Sequence, residues 1–403
     1  MIDSVTLSQQ IELNEEELEC DYGWIKHKNT KSYPYYWVFS RRLDRLGLYL
    51  RFYPRAYYRD YYFPSRLQVE FDTLPKFMFG SNVYYLSEQD LSEFDIKFQK
   101  ALIAAGIYED VNIETLEVKK MDLSFNILFE SEKIVRKIIN AFKESPSWNE
   151  SYPIQIEDDG IYFRHAPKVK GKVKTNTGNT CIGYYIKIDE SLYDPILMDK
   201  GILRLEIRLS SRDIVKKNFG RTPTIPAIYK RKAGAKKLFE RNIKISGVYP
   251  NCKMVSIKKA QRMICKHIPE SRRRIKWLLR LYLVRAVSSR DNNIAGRLKT
   301  KSVVNSLRGY FLRKKLGILI MFFRDDDPLE IPLYQLAMNE IEETFRDNSP
   351  FQKTNTTMVA DGKKDSISVA RFCSVLRPNF QFGNLISQCL LSNNYIVIRI
   401  LPI

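Results

Sequence analysis

Ile182-Gly-Tyr-Tyr-Ile-Lys-Ile188 alternates apolar and polar side chains with a period of two, the pattern of a strand that buries one face and shows the other. Tyr185 and Lys187 fall together on the second face. Three more segments repeat the pattern: Leu67-Gln-Val-Glu-Phe-Asp72, Val118-Lys-Lys-Met-Asp-Leu-Ser-Phe-Asn-Ile127 and Leu203-Arg-Leu-Glu-Ile-Arg-Leu209. The sets to be buried are Leu67/Val69/Phe71, Met121/Leu123/Phe125/Ile127, Ile182/Tyr184/Ile186/Ile188 and Leu203/Leu205/Ile207/Leu209. Opposite them stand Glu70 and Asp72, Asp122 and Asn126, Tyr185 and Lys187, and Arg204, Glu206 and Arg208. If the four strands are neighbours, carboxylates, a phenol and an ammonium converge on one surface.

Helical periodicity fills the intervals. Leu91, Phe94, Phe98 and Leu102 form an apolar stripe, with Ser87 as the expected cap, Asp90 three residues on and Gly106 as a stop. A second helix is expected from Ser131, with Ile134, Ile138 and Phe142 on one side. Pro75 and Gly80–Asn82 mark the intervening stretch after the first strand as a loop. The first 215 residues therefore read as α+β: an antiparallel sheet with helices on one face and a polar, open opposite face. Beyond Arg212 the pattern becomes helical and basic, with a linker zone at Pro223 and Pro226.

The charge is unevenly placed. Of a net +20, residues 216–320 carry 29 Lys or Arg against three acids, an excess of +26. Such concentration fits a polyanion, because each phosphate neutralised releases counterions. Candidate contacts are Lys230, Arg231 and Lys232, then Arg272, Arg273, Arg274 and Lys276 on a helix with Trp277, Leu281 and Val284 on one stripe. Arg308, Arg313, Lys314 and Lys315 lie on a second basic helix with the apolar residues Val304, Leu307 and Phe311. That helix reads equally as a DNA-recognition helix or as a packed surface helix. Six cysteines without Cys-x-x-Cys spacing fit a reducing compartment and speak against zinc. No apolar run nears the roughly 20 residues of a membrane span, and the N-terminus has no signal-peptide pattern. The expected location is therefore cytoplasmic.

Glu70, Asp122 and Glu206 are hard oxygen donors suited to Mg²⁺ or Mn²⁺. A cation held there polarises a phosphodiester, Tyr185 is a candidate nucleophile, and Lys187 can offset charge on the phosphate. Each residue also has a plain structural reading. Tyr-x-Lys occurs on many strands, carboxylates commonly face solvent from half-exposed sheets, and His165 fits an ordinary loop position.

Taken in order, the segments resemble the gene II replication initiators of filamentous phages. The resemblance rests on the opening Met-Ile-Asp, on Val69-Glu-Phe followed by Leu-Pro-Lys-Phe-Met-Phe-Gly-Ser-Asn-Val, and on Lys120-Met-Asp-Leu-Ser-Phe. It continues through Gly183-Tyr-Tyr-Ile-Lys and Leu203-Arg-Leu-Glu-Ile-Arg. Lys299-Thr-Lys-Ser, Tyr310-Phe-Leu-Arg-Lys and Ala370-Arg-Phe-Cys-Ser-Val-Leu-Arg-Pro-Asn-Phe resemble a gene X-like C-terminal region. The resemblance implies a rolling-circle endonuclease that nicks and rejoins one strand through a 5′-phosphotyrosyl intermediate. Its motif tyrosine and lysine fall on Tyr185 and Lys187, and its Arg-Ile-Asp metal motif falls on Lys120-Met-Asp122. Glu70 and Glu206 take the remaining acidic strand positions.

It further implies a nuclease palm of the HUH type at 1–215, a basic helical DNA-binding segment at 216–298 and the C-terminal region at 299–403. Double-stranded origin DNA, the displaced single strand, and a host helicase and polymerase in a bacterial cytoplasm are the implied partners. The chain departs from the wider nuclease pattern in having no His-x-His, and the Tyr184-Tyr185 doublet offers two hydroxyls. Two other classes fit the composition: a non-catalytic replication regulator that binds DNA, and a basic protein that lies on anionic membranes through its 271–287 helix.

Overall fold

β1 (Ile2–Gln9) runs through the middle of a ten-stranded antiparallel sheet. In chain order the other strands are β2 (Ile25–Lys28), β3 (Tyr35–Phe39), β4 (Leu48–Tyr53), a separate hairpin of β5 (Ala56–Tyr58) and β6 (Tyr61–Phe63), then β7 (Arg66–Phe71) and β8 (Glu117–Phe129). They continue with β9 (Ser151–Glu157), β10 (Gly160–His165), a short ladder of β11 (Lys168–Val169) and β12 (Lys172–Val173), β13 (Thr180–Ile186) and β14 (Gly201–Leu209). Across the sheet the order is β2-β3-β4-β7-β1-β8-β14-β13-β10-β9. This computed structural model describes residues 1–28, 33–39, 47–58, 61–108, 110–144, 151–165, 168–169, 172–173, 180–187, 197, 199–250, 252–278, 317–323, 329–347 and 349–352. The protein is thus α+β, built on one large antiparallel sheet.

The alternation read from the four segments sets the register. Leu67, Val69, Phe71, Leu123, Leu203 and Ile207 are fully buried, and their neighbours in the expected sets are nearly so; Ile188 lies outside the described residues. Each such side chain contributes about 1.5–3 kcal/mol by leaving water. Helices cover this inner face. α1 (Glu15–Cys20) is followed by α2 (Leu74–Phe79) and α3 (Leu91–Ala104), which bring Phe77, Phe94 and Phe98 onto Phe71 at ring distances of 5.1–5.6 Å. α4 (Glu132–Glu144) stacks Phe142 on Tyr184 at 4.5 Å.

Two local expectations are corrected. The stretch after β7 is not all loop: Pro75 occupies the first turn of α2, where its missing N–H costs nothing, and Gly80 closes that helix at φ 76°. Ser87 does not cap α3. Instead the Asp90 carboxylate accepts from the Ser87 amide at 2.7 Å and hydroxyl at 2.6 Å, and the helix starts at Leu91.

After β14 come α5 (Arg212–Phe219), α6 (Ile225–Tyr229) and α7 (Lys232–Ile245), whose Phe239 meets Phe125 edge-on at 4.6 Å. β15 (Lys253–Ser256) pairs in parallel with β16 (Ile318–Phe323) and antiparallel with β17 (Glu330–Ile331), flanked by α8 (Ile257–His267) and α9 (Leu333–Phe345). Met1–Lys353 forms one compact unit. The second basic helix expected from the sequence, with Val304 to Lys315, and the segment from 354 onward lie outside the described residues. Among the described residues no helix is long and apolar enough to cross a membrane.

Candidate active site

The polar face of the sheet carries a cavity of about 320 Å³ across β7, β1, β8, β14 and β13. Tyr185, Lys187, Glu70, Asp122 and Glu206, chosen from the sequence, all line it, together with Asp3, Ser4, Asp72 and Arg208. Strand register explains the convergence. Glu206 on β14 stands opposite Ser124 of β8 on one side and Gly183 of β13 on the other, and Arg208 stands opposite Asp122. Directly opposed residues share a face.

Tyr185 donates its hydroxyl proton to Glu206 Oε2 at 2.5 Å. Arg208 donates through Nε to Glu206 Oε1 at 2.6 Å, and the same nitrogen lies 3.9 Å from Asp122 Oδ2. The Arg208 guanidinium also sits 4.5 Å above the Tyr162 ring, which in turn stacks on Tyr185 at 6.0 Å. The Ser4 hydroxyl donates to Asp122 at 2.9 Å, and Glu70 is held by Arg51 at 2.8 Å. Tyr184, the other member of the doublet, points the opposite way: it is fully buried in the core, 2.6 Å from the Ser246 hydroxyl.

Gly183 makes the aromatic stack feasible. A Cβ there would run into the Tyr162 ring, which lies across the bare backbone. Gly183→Ala should therefore displace Tyr162 and lower stability by about 1–3 kcal/mol, measurable in urea melts, as overpacking does.

The polar face is not wholly open, as the alternation alone implied. β1 runs out beside Ser124, and the 82–85 stretch takes over the free edge of β8. There the Asn126 amide donates to the Tyr85 hydroxyl, and the Asn126 side chain donates to the Val83 carbonyl at 2.8 Å. Beneath this cover Arg204 is fully buried. Its guanidinium bonds Asp3 at 2.9 Å, Asn126 Oδ1 at 2.8 Å and the Asn82 carbonyl. Sequence reasoning gave Asp3, Ser4 and Tyr162 no role. Part of the signal was present: Ser4-Val-Thr-Leu-Ser8 alternates as the four chosen segments do, but the period slips at Asp3–Ser4, where the pairing of β1 with β8 shifts register.

Burial, and then the negative charge of Glu206, raises the Asp122 carboxyl from its usual 3.8 to about 7. Burial and Glu206 also push the Tyr185 phenol well above its ordinary 10. Burial works against the Arg208 charge, yet Glu206 and the Asp122 carboxylate more than offset it and the guanidinium stays firmly protonated.

Among the described residues no three carboxylate, histidine or cysteine side chains stand close enough to hold a metal ion as they are. The donor chemistry nonetheless fits a hard cation. Asp122 and Glu206 repel one another, and Asp3 Oδ1 is buried without a hydrogen-bond partner. Glu70 is tied into its ion pair with Arg51.

Of the basic candidates, Lys230, Arg231, Arg272, Arg273 and Lys276 are exposed. Arg274 turns back to the carbonyls of Ile268 and Pro269 at 2.8 and 2.6 Å, and Lys232 reaches the Phe345 carbonyl at 3.2 Å. Arg308, Arg313, Lys314 and Lys315, with Leu281 and Val284, lie outside the described residues.

Residues 62–225 match the model of a family described as the N-terminal part of the phage replication-associated gene II protein. Over this segment, about two fifths of the chain, the sequence is similar to the gene II replication initiators. The match takes in β7, β8, β13 and β14, so four of the strands that wall the cavity lie within the matched segment, while β1 lies outside it. No curated protein matches the chain.

Proposed function

We propose that the chain initiates rolling-circle replication of a phage by nicking, and later rejoining, one DNA strand at an origin. The observation that carries this reading is the Tyr185 hydroxyl hydrogen-bonded to Glu206 inside a polar cavity shared with Lys187 and Asp122. Tyr185 Oη attacks phosphorus, its proton passes to Glu206, and the bond from phosphorus to the 3′ oxygen breaks. The tyrosine keeps the 5′ phosphate, the departing 3′ oxygen takes a proton from solvent, and the resulting 3′ hydroxyl primes synthesis. Lys187 meets the charge that develops on the phosphate oxygens. A phenol held well above pH 10 does not ionise unaided, so Glu206 must act as the strand binds. Asp122 and Glu206, with Asp3 or Glu70, would hold Mg²⁺ or Mn²⁺, which supplies polarisation of the phosphodiester when bound.

In this reading the sheet serves as an HUH-type palm. Residues 1–215, 216–298 and 299–403 are functional segments for catalysis, DNA binding and a gene X-like region. The basic segment grips origin DNA mostly through phosphates, in a bacterial cytoplasm, with host helicase and polymerase following. The test is incubation with supercoiled origin plasmid and Mg²⁺. Open circles with protein bonded to a 5′ end support the reading. Origin binding with no nick and no adduct would leave a non-catalytic regulator.

The raised Asp122 carboxyl has a pH consequence. Its folded value exceeds its unfolded one, so its contribution to stability is full below about pH 4 and is lost as pH rises through about 7. Wild type should lose on the order of 1–3 kcal/mol more than Asp122→Asn between about pH 5 and about pH 8 in urea melts. Strand cleavage should rise over the same range as the carboxylate loses its proton.

A further inference from the structure

We infer that the β5–β6 hairpin and the adjoining polar face of β2, β3 and β4 form a stacking platform for single-stranded DNA, which it leads toward the cavity. The sequence Arg51-Phe-Tyr-Pro-Arg-Ala-Tyr-Tyr-Arg-Asp-Tyr-Tyr-Phe-Pro-Ser-Arg66 intersperses aromatics with cations, and its aromatic side chains have no role in the chemistry proposed for the cavity. Pro54 and Pro64 flank the hairpin. Neither can donate to a ladder, so the main sheet stops at the Tyr53–Arg66 pair and the hairpin extends past it. Tyr57 and Tyr62, ring centroids 5.2 Å apart, are 76% and 52% exposed, and Tyr61 is 70% exposed. These are large apolar surfaces left facing water.

The rings continue inward. Phe63 meets Tyr33 at 5.5 Å, Tyr33 meets Tyr53 at 5.1 Å, Tyr53 stacks on Tyr36 at 5.4 Å, and Tyr36 stacks on His27 at 5.5 Å. The Arg66 guanidinium lies over Tyr53 at 4.6 Å and Tyr33 at 5.1 Å. Tyr53, Arg51, Arg66 and Glu70 alternate with buried neighbours, so they share the face that holds the cavity.

β4 stands three strand spacings from β8, about 15 Å at 4.8 Å each. Roughly four stacked nucleotides cover that distance at about 3.4 Å apiece. Aromatic faces with interleaved cations favour unpaired bases, because a duplex keeps its base faces hidden. The occupant is therefore a single strand. The reading of the cavity as the strand-cleaving centre gives only its direction.

The test measures binding of a labelled oligothymidylate of about 20 nucleotides, and of a duplex of equal length, by fluorescence anisotropy with chelator present so that no cleavage intervenes. Tyr57→Ala/Tyr62→Ala should weaken the single strand about 10–100-fold and the duplex less than about 3-fold, with unchanged melting. Tyr57→Phe/Tyr62→Phe should stay within about 3-fold of wild type, since stacking needs the ring and not the hydroxyl. Retained oligothymidylate affinity in the alanine variant, or an equal loss for single strand and duplex, would overturn the platform. Neither result bears on covalent adduct formation, which tests the cavity separately.

Discussion

Tyr185→Phe should lower origin cleavage at least about 10⁴-fold and remove the covalent DNA adduct, while leaving the fold in place. Phenylalanine keeps the ring that stacks on Tyr162 and deletes only the oxygen that would bond to phosphorus. Glu206 loses one donor but keeps Arg208 at 2.6 Å, so the stability cost should be no more than about 1–3 kcal/mol. Tyr184→Phe is the matched control. Its hydroxyl meets Ser246 in the core on the other side of the sheet, so cleavage should stay near wild type. Rates for both variants on a labelled origin strand decide the matter. Rapid cleavage by the Tyr185 variant, or loss confined to the Tyr184 variant, would remove the proposed nucleophile.

Arg204→Ala should be the most destabilising change at the site, by about 3–5 kcal/mol in chemical denaturation. The guanidinium is buried at full charge, and it is the partner of Asp3, Asn126 and the Asn82 carbonyl at once. Burial opposes its ionisation, but the negative charge of Asp3 prevails, so the proton is held more tightly than in water. Truncation strands a carboxylate whose other oxygen already has no partner. Removing both charges in Arg204→Met/Asp3→Leu should recover a large part of the loss, because apolar pairs replace buried ion pairs at little cost. A single Arg204→Ala variant within about 1 kcal/mol of wild type would mean that water reaches this pocket.

The placement of the site was legible because a period of two is unforgiving: a slip by one residue would turn Glu70, Asp122, Tyr185 and Glu206 into the core. Each strand therefore announced its polar side, and only adjacency was left to the fold. Strand order was not legible, since it depends on non-local pairing, and β1 enters between β7 and β8 although it is first in the chain. The burial of Asn126 and Arg204 was hidden for a related reason. Alternation assigns a face, but it says nothing of a distant loop such as 82–85 lying over it. Ser87 and Asp90 show the limit of local rules: both residues of a capping pattern are visible in the sequence, and the hydrogen bonds run the other way. The aromatic hairpin escapes a periodicity reading because its short strands lie beyond two prolines and bury little.

The central position of β1 sets the pace at which a newly made chain can fold. Val5 pairs with Phe71 on one edge and Met121 on the other, so β1 waits for two partners that are made after it. Loop closures of this length place the molecule among slow folders, and the waiting strand offers both edges to other chains meanwhile. Overproduction at low temperature, where fewer nascent chains meet, should therefore favour recovery of native protein.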